Sequence, residues 1–164
     1  PMPNRCGTCT RCIDCCPTNA ITAPNKMDPR RCISYFTIEH KGPIPEKFRK
    51  SIGDRVFGCD DCLDVCPWNR FAEASKEAKF AARDFIGMSL IQLLQLTEND
   101  FITLFRKSPV KRLGRERFIR NVCVAIGNTG THSDIPHLKK ALTEESLMIR
   151  EHAQWAINLS LIHI

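Results

Sequence analysis

The second half of the chain carries apolar residues at helical spacing. They recur at intervals of three and four at Phe118, Ile119, Val122, Cys123 and Ile126. This pattern predicts an amphipathic helix with one buried face. Gly127 and Gly130 follow it and are expected to end the helix, since glycine favours the end of a helix over its interior.

Three more helix starts are visible in the same half. Ser89 precedes a leucine-rich run, and Thr97 precedes Asp100 in the arrangement of a capping box. Asp134 and Pro136 have the composition of an N-cap and a first helical turn. The sequence therefore predicts a succession of short helices after residue 89.

The first half shows no such periodicity and is punctuated by proline and glycine. Asp28-Pro29 predicts the start of a helix that Gly42 closes. Pro45 opens a second short helix, which Gly53 ends.

A weak internal repeat has a period of 30 residues. Ile119-Arg120 recurs as Ile149-Arg150, and Asn128 recurs as Asn158. Paired helices at a fixed period are typical of an α-solenoid of the HEAT kind. A plain helical bundle is the alternative, because only about one and a half repeats are present.

These patterns predict an α-rich α+β protein. We expect a separate first domain over residues 1–70, with helices inserted at 29–52. A helical linker region over 71–107 and a HEAT-like helical repeat domain over 108–164 follow it.

The composition, 43% hydrophobic and 26% charged, is that of a soluble globular protein. No apolar run is long enough to span a membrane, and residues 1–5 contain no apolar signal region. We therefore expect a cytoplasmic monomer that does not contact a membrane. The chain begins with Pro1 rather than Met, which indicates a fragment of a longer protein.

The positive charge is concentrated in one segment. Residues 106–120 contain seven lysines and arginines and one glutamate, a net +6 that equals the formal charge of the whole chain. A local basic patch indicates an anionic partner, and nucleic acid is the common large one. The alternative is an ordinary solvated helix face.

Nine of the ten cysteines lie before Pro67, which favours a local cofactor over a disulfide framework. The run Cys6-x2-Cys9-x2-Cys12-x3-Cys16-Pro17 is the bacterial ferredoxin pattern, and Cys59-x2-Cys62-x3-Cys66-Pro67 repeats its second half. Zinc sites pair two CxxC knuckles and do not use this run twice. The signal for two 4Fe–4S clusters is therefore strong, and residues 1–70 are expected to form a bacterial-ferredoxin-like double 4Fe–4S domain.

In such runs the fourth cysteine ligates the other cluster. One cluster is then expected to take Cys6, Cys9, Cys12 and Cys66. Val56 stands where a further ligand is missing, and Cys32 is the remaining candidate. The second cluster is expected to take Cys16, Cys32, Cys59 and Cys62. Cys15 and Cys123 are interpreted as packed, non-ligating residues.

Several stretches are more specific than the cysteine runs. They are RCISY at 31–35, TIEHKG at 37–42, GCDDC at 58–62, VCPWN at 65–69 and parts of 108–128. Together they resemble the epoxyqueuosine reductases, and the resemblance covers nearly the whole chain.

The resemblance implies reduction of epoxyqueuosine to queuosine in a tRNA anticodon. It implies a cobalamin that receives electrons from the clusters, with the first cluster nearer the cobalt. It also implies an electron-donor protein as a partner. The resemblance implies that the cobalamin and a proton-donating acid lie mainly in an N-terminal domain, which this sequence is not expected to include. The chain is therefore expected to be inactive alone and to contain no catalytic residue.

The resemblance also suggests contacts. Ser34, Asp60 and Asp61 are expected at the cobalamin edge, although each has an equally plausible structural role. The basic residues expected to contact tRNA are His40, Lys41, Lys111, Arg112, Arg115 and Arg117. Arg120 is instead suspected of a structural role, because Arg150 repeats it.

Other functions stay open at this point. A stand-alone double-cluster electron carrier would dock an acidic protein through the basic patch. A relative of the reductive dehalogenases would act on a small halogenated molecule, which gives no reason for that patch. A nucleic-acid module with structural clusters would be redox-silent.

Overall fold

A computed structural model describes residues 6–73, 85 and 87–162. Part of the predicted linker region, residues 74–84 and 86, lies outside the described residues. Among the helices of these ranges, none combines the length and the apolar character needed to cross a membrane.

The cysteine-rich part contains very short elements joined by turns. Two-stranded antiparallel pairing places Ile21 opposite Met27. In chain order the elements are α1 (Arg11–Asp14), β1 (Ile21–Ala23), β2 (Lys26–Met27), a 3-10 turn (Pro29–Arg31), a π-helical turn (Tyr35–Glu39), α2 (Glu46–Ile52), α3 (Asp61–Asp64) and a 3-10 turn (Pro67–Phe71).

The remaining part is helical. Its elements are α4 (Leu90–Leu94), α5 (Glu98–Leu104), a 3-10 turn (Pro109–Leu113), α6 (Arg115–Thr129), a 3-10 turn (His132–Asp134), α7 (Ile135–Ala141) and α8 (Leu147–Ile162). The helix starts at Ser89 and Thr97 are confirmed, and each forms a complete capping box with the residue three positions later.

The prediction of a single helix between Asp28 and Gly42 is wrong. Asp28 does cap a turn, since its side chain accepts from the Arg30 N–H. That turn stops at Arg31, and Cys32 is extended with a ψ of 130°. The break allows the Cys32 side chain to leave the helical direction before the π-helical turn begins.

Helix α6 is the centre of the fold, and every residue from 118 to 127 is buried. It packs against α8, α4 and α2. Gly127 does not end it, contrary to the prediction, because the helix continues to Thr129 and Gly130 caps it. A Cβ at Gly127 would lie 2.7 Å from the Trp155 ring and 2.9 Å from the Ala156 Cα, so this glycine permits close packing on α8.

The cysteine-rich part and the helices share a core. Ile33, Phe36, Ile44 and Ile52 are buried together with Val124 of α6. The segment between Cys32 and Cys59 is therefore packed against the helical part along its length. The helical part also has a larger core of its own around α6.

Polar side chains of α6 complete this contact. The Arg120 guanidinium, 0% exposed, donates to the carbonyl oxygens of Phe36 at 2.7 Å, His40 at 2.8 Å and Gly42 at 2.6 Å. Burial lowers the pKa of Arg120 to about 10, which still leaves it charged at neutral pH. It acts as a cationic donor to the end of the π-helical turn.

Asn121 and Asn128 act in the same way. The Asn121 amide donates to the carbonyl oxygens of Thr37 and Val56, at 2.8 and 2.9 Å. The Asn128 amide donates to those of Arg49 and Gly53, at 2.8 and 2.9 Å. The last carbonyls of a helix have no partner within it, and α6 supplies the missing donors.

His152 of α8 makes a further buried contact with the same segment. Its Nε2 accepts from the Ile44 N–H at 3.1 Å, so Nδ1 carries the proton and donates to the Met148 carbonyl at 2.7 Å. Burial lowers the pKa of His152 to about 4. The folded protein therefore holds this imidazole neutral.

We expect Arg120→Met to lower the free energy of unfolding by roughly 3 kcal/mol or more, because it leaves several buried carbonyl oxygens without a donor. Urea unfolding of the anaerobic protein would measure this. The matched control is Arg150→Met at the repeated position. Arg150 is only half-buried and donates to the carbonyls of Glu144 and Glu145, so about 1 kcal/mol is expected. Equal losses in the two variants would contradict the special role of Arg120.

Stability should also fall in mild acid. The pKa of His152 is lower in the folded protein than in the unfolded chain, so the unfolded chain binds more protons between pH 6.5 and about 4. The contribution of His152 is complete above pH 6.5 and is lost as the pH falls. About 1 kcal/mol should disappear between pH 7.5 and 5.5. His152→Gln, which keeps both a donor and an acceptor, should remove this loss, whereas His132→Gln at an exposed position should retain it.

Candidate iron–sulfur centres

Two short helices carry the cysteine runs and have matching geometry. The residue before α1, Thr10, has φ −118° and ψ 4°, and the residue before α3, Asp60, has φ −114° and ψ 9°. Cys15 and Val65 after these helices differ by only 2° in φ and 3° in ψ. The helices pack against each other, so the two cysteine runs form a pseudo-symmetric pair.

One cavity, of about 220 Å³, is lined by four cysteines from both runs, namely Cys6, Cys9, Cys12 and Cys66. The rings of Trp68 and Phe71 close one side of it, and both are largely exposed on their outer surfaces. On the other side, a cavity of about 280 Å³ lies between Cys6, Cys9, Cys12 and the hairpin of β1 and β2. These cavities bring together the residues predicted for the first cluster.

A second site lies deeper. A cavity of about 40 Å³ is lined by Cys16, Cys32, Cys59 and Cys62, the residues predicted for the other cluster. Its walls are mostly apolar, with Ala20, Ile21, Met27 and Ile33 among them. A larger open groove of about 910 Å³ passes between α1 and α3, but Cys66 is the only predicted ligand among its described lining residues. We therefore place the candidate centres in the smaller cavities.

The arrangement of the cysteine thiols indicates which kind of metal centre the cavities could hold. Within the described ranges, no group of three or more His, Cys, Asp or Glu side chains is arranged to hold a single metal ion. The ten cysteines, all of which are described, form no disulfide. Four thiols around an open cavity suit a cluster of several irons better than one zinc ion.

The backbone is arranged to stabilise negative sulfur. The Ala20 N–H donates to Cys16 Sγ at 3.2 Å. Burial acts against ionisation of Cys16, but backbone hydrogen bonds at Thr18, Ala20 and Ile21 outweigh it and lower the pKa of that thiol. Burial raises the pKa of the thiols of Cys59 and Cys62. A bound iron would have to displace those protons.

The two remaining cysteines have structural surroundings. The Cys15 thiol lies 3.6 Å from the Cys12 carbonyl oxygen and 3.5 Å from that of Asp61, and donates to both. Cys123 is fully buried in α6, and burial raises the pKa of its thiol to about 12. Both geometries favour packing over iron binding.

The residues expected near cobalamin lie close to the second cavity. The Ser34 hydroxyl accepts from the Cys59 N–H at 3.0 Å and donates to the Cys59 carbonyl at 3.1 Å. Asp61 lines the second cavity and forms an ion pair with Arg55 at 2.8 Å. Asp60 is exposed at the start of α3. Ser34 and Asp61 are thus already used to hold the cysteine-bearing loop.

The basic residues divide into two groups. Lys41, Lys111 and Arg112 are exposed, and Arg112 pairs with Glu39 of the π-helical turn at 2.7 Å. This pairing joins the 3-10 turn before α6 to the loop that carries Lys41. His40 is partly exposed, and its Nε2 is hydrogen-bonded to the Pro43 carbonyl at 3.0 Å.

Arg115 and Arg117 are held within the fold. Arg115 makes a two-pronged ion pair with Glu144 and also donates to the Leu96 carbonyl at 2.6 Å. Arg117 donates to the carbonyl oxygens of Leu113 at 2.7 Å and Arg112 at 3.1 Å. These contacts favour structural roles, and sequence spacing alone does not separate such arginines from solvated ones.

Sequence reasoning also overlooked residues around the sites. Thr18 and Ala20 contact Cys16, and Arg49 is buried against Glu151 and the Trp155 ring. Thr18 and Ala20 could have been found from their position directly after Cys16-Pro17, where the chain turns around the sulfur.

The paired cavities and crossed cysteine sets define a double-cluster iron–sulfur protein. In agreement, residues 5–69 match the family described as "4Fe-4S double cluster binding domain". This part of the chain is therefore a domain for two 4Fe–4S clusters.

The whole chain is similar to a portion of the epoxyqueuosine reductases, which confirms the resemblance seen in the sequence. It is 47% identical to the epoxyqueuosine reductase of Xanthomonas campestris pv. campestris over 96% of this chain and 45% of the relative. The corresponding protein of Aliivibrio fischeri is also 47% identical, over 96% of this chain and 43% of its own length. The chain thus spans a little under half the length of these curated relatives.

Solved structures agree. An epoxyqueuosine reductase crystallised with an epoxyqueuosine-modified tRNA-Tyr stem loop has a TM-score of 0.90 and 32% identity, covering 98% of this chain and 43% of that one. The epoxyqueuosine reductase of Bacillus subtilis has a TM-score of 0.89 at the same identity and coverage. The helix-rich fold with its double-cluster domain is therefore shared with this part of those enzymes.

Proposed function

We propose that this chain is the iron–sulfur electron-transfer and tRNA-binding portion of a cobalamin-dependent epoxyqueuosine reductase. Such an enzyme reduces epoxyqueuosine to queuosine in a tRNA anticodon. The observation that carries the proposal is the crossed grouping of eight cysteines in two neighbouring cavities. The similarity to epoxyqueuosine reductases along 96% of the chain supports the reaction to which the clusters would supply electrons.

The ligands proposed for one cluster are Cys6, Cys9, Cys12 and Cys66, and those for the other are Cys16, Cys32, Cys59 and Cys62. When bound, such clusters supply one-electron transfer. The chain's own residues hold the ligands in place: Ser34 fixes the peptide of Cys59 through two hydrogen bonds. Arg55 fixes Asp61 beside Cys62, and Trp68 and Phe71 limit access of water to the first cavity.

For tRNA, the exposed cations Lys41, Lys111 and Arg112 are the best-supported contacts. They lie on two elements that the Arg112–Glu39 ion pair joins. Lysine and arginine bind phosphates without reading the sequence of the RNA. His40 can contribute from the same loop, whereas Arg115 and Arg117 would act by shaping this surface. The relative solved with a tRNA stem loop supports this partner.

Cobalamin does not fit the residues proposed for it here. The Ser34 hydroxyl donates to the Cys59 carbonyl and accepts from the Cys59 N–H, and both carboxylate oxygens of Asp61 accept from Arg55. Only the exposed Asp60 keeps its carboxylate available among the three. We therefore derive no step through cobalamin from this chain, and propose that the part of the relatives that it does not match holds that cofactor.

The helical part is proposed to be HEAT-like, over residues 108–164. Helices α6 and α8 pack together, and residues 30 apart in them share environments. Ile119 and Ile149 are both buried, as are Cys123 and Ala153. The double-cluster domain is proposed over 1–70 with its insertion at 29–52, joined to these helices through 71–107. The chain is further proposed to be a cytoplasmic monomer that receives electrons from a donor protein.

The experiment that tests the proposal uses the anaerobically reconstituted chain. Iron and sulfide analysis should give two clusters per chain, and binding to a tRNA of the queuosine type should weaken steeply with added salt. Absence of tRNA binding, with salt-sensitive docking to an acidic redox protein, would favour the stand-alone electron carrier. Clusters that cannot be reduced would favour a nucleic-acid module.

Cys32→Ala is expected to remove one cluster and leave the other, because Cys32 lines only the second cavity. Iron content should fall by about half, from roughly eight to four irons per chain. The control is Cys15→Ala, which alters a neighbouring cysteine outside both ligand sets and should retain the full iron content. Full iron content in Cys32→Ala would contradict the ligand assignment.

Replacing Lys111 and Arg112 together with alanine should weaken tRNA binding and reduce the slope of log affinity against log salt by about one to two units. Filter binding or fluorescence anisotropy over a salt series would measure both. The control removes two exposed charges elsewhere, at Lys139 and Lys140 of α7. If the two double variants behave alike, net charge rather than this surface governs binding.

A further inference from the structure

The turns that follow the two cysteine runs begin alike, but they differ in two side chains, and their backbones diverge at Asn19, which has a φ of 49°. Cys16-Pro17-Thr18-Asn19-Ala20 corresponds to Cys66-Pro67-Trp68-Asn69-Arg70. In both turns the asparagine N–H donates to the carbonyl oxygen of the cysteine, at 3.0 Å in the first and 2.9 Å in the second. Thr18 and Trp68 therefore occupy equivalent places beside ligands of different clusters.

Their surroundings differ. Thr18 is 5% exposed, and its hydroxyl lies 3.8 Å from Cys16 Sγ, its side-chain hydrogen-bond partner among the described residues. The Ala20 N–H reaches the same sulfur at 3.2 Å. Trp68 is 49% exposed and offers its ring, which stacks near Phe71 at 5.7 Å between centroids.

Iron ligation decides which way the Thr18 hydrogen bond points. A cysteine that binds iron has lost its proton, so its sulfur can only accept. Thr18 must then be the donor in the cluster-loaded protein. Cys16 Sγ then accepts from the Thr18 hydroxyl as well as from backbone N–H groups, of which that of Ala20 lies at 3.2 Å.

We infer that Thr18 raises the reduction potential of the cluster held by Cys16, and so separates the potentials of two otherwise pseudo-symmetric clusters. Reduction adds negative charge that spreads onto the sulfur ligands. A donor aimed at one of those sulfurs stabilises the reduced form more than the oxidised form. Among the described residues, the indole N–H of Trp68 makes no hydrogen bond to Cys66 Sγ at the equivalent position.

This inference rests on the ligand assignment of the proposed function. It is tested by reduction potentials, whereas the ligand assignment is tested by iron content. The test is a redox titration of the anaerobically reconstituted chain, followed by electron paramagnetic resonance. Thr18→Val keeps the shape of the side chain and removes the hydroxyl. One of the two reduction waves should move to a more negative potential. At a fixed applied potential, the ratio of reduced to oxidised cluster should fall about three- to tenfold.

Three further variants make the test specific. Thr18→Ser retains the hydroxyl and should keep the original potential. Thr18→Ala removes the hydroxyl with less bulk and gives the same test if the valine variant loads iron poorly. Thr103→Val, at an exposed position of α5, is the matched control and should change neither wave.

The outcomes separate the two proposals. Loss of cluster loading in the unmodified chain would contradict the proposed function itself. Full loading with unchanged waves in Thr18→Val and Thr18→Ala would overturn the role of Thr18 alone. An equal shift in Thr18→Ser would also overturn it, since the effect would then come from packing rather than from the hydroxyl.

Discussion

The fold depends on satisfying the carbonyl groups that its shortest helices leave without partners. The π-helical turn and α2 are too short to hydrogen-bond most of their own carbonyl oxygens, and each buries one face against α6. Helix α6 meets this need with Arg120, Asn121 and Asn128. Because their donors replace solvent, the inserted segment can be buried. Its apolar residues can then form a core with Val124.

This arrangement explains why arginines that look alike in the sequence behave differently. Arg120 is a buried donor to backbone carbonyls, Arg115 is an ion-pair partner of Glu144, and Arg112 lies on the surface with Glu39. Each residue carries the same charge, but only the last presents most of its side chain to solvent, at 71% exposed. The surface potential of the basic segment is therefore smaller than its sequence charge implies.

The grouping of the cysteines could be predicted from the sequence, because cysteine runs of this kind have a strict spacing. The grouping of Cys32 with Cys16, Cys59 and Cys62 in one cavity follows the expectation from the crossover pattern. The helix caps at Ser89 and Thr97 could also be predicted, because each cap depends only on residues within three positions along the chain. The prediction that Gly127 ends the helix was wrong because this glycine allows α6 to pack closely on α8. That contact joins residues distant in the sequence. The break at Cys32 was missed for a similar reason: a tertiary requirement on a side chain overrode a good helix start.

The crossed cysteine sets and the shared core have a consequence for how the chain would respond to loss of iron. The segment from 33 to 58 is bounded at each end by cysteines of the second cavity, and α6 holds its middle. If oxygen destroyed the proposed cluster there, both anchors of that segment would be released together. Loosening would then pass to the carbonyls that hold Arg120 and to the neighbouring basic surface. Oxidative damage at the proposed cluster would thereby loosen the surface proposed for tRNA, so loss of iron and loss of polyanion binding are expected to occur together.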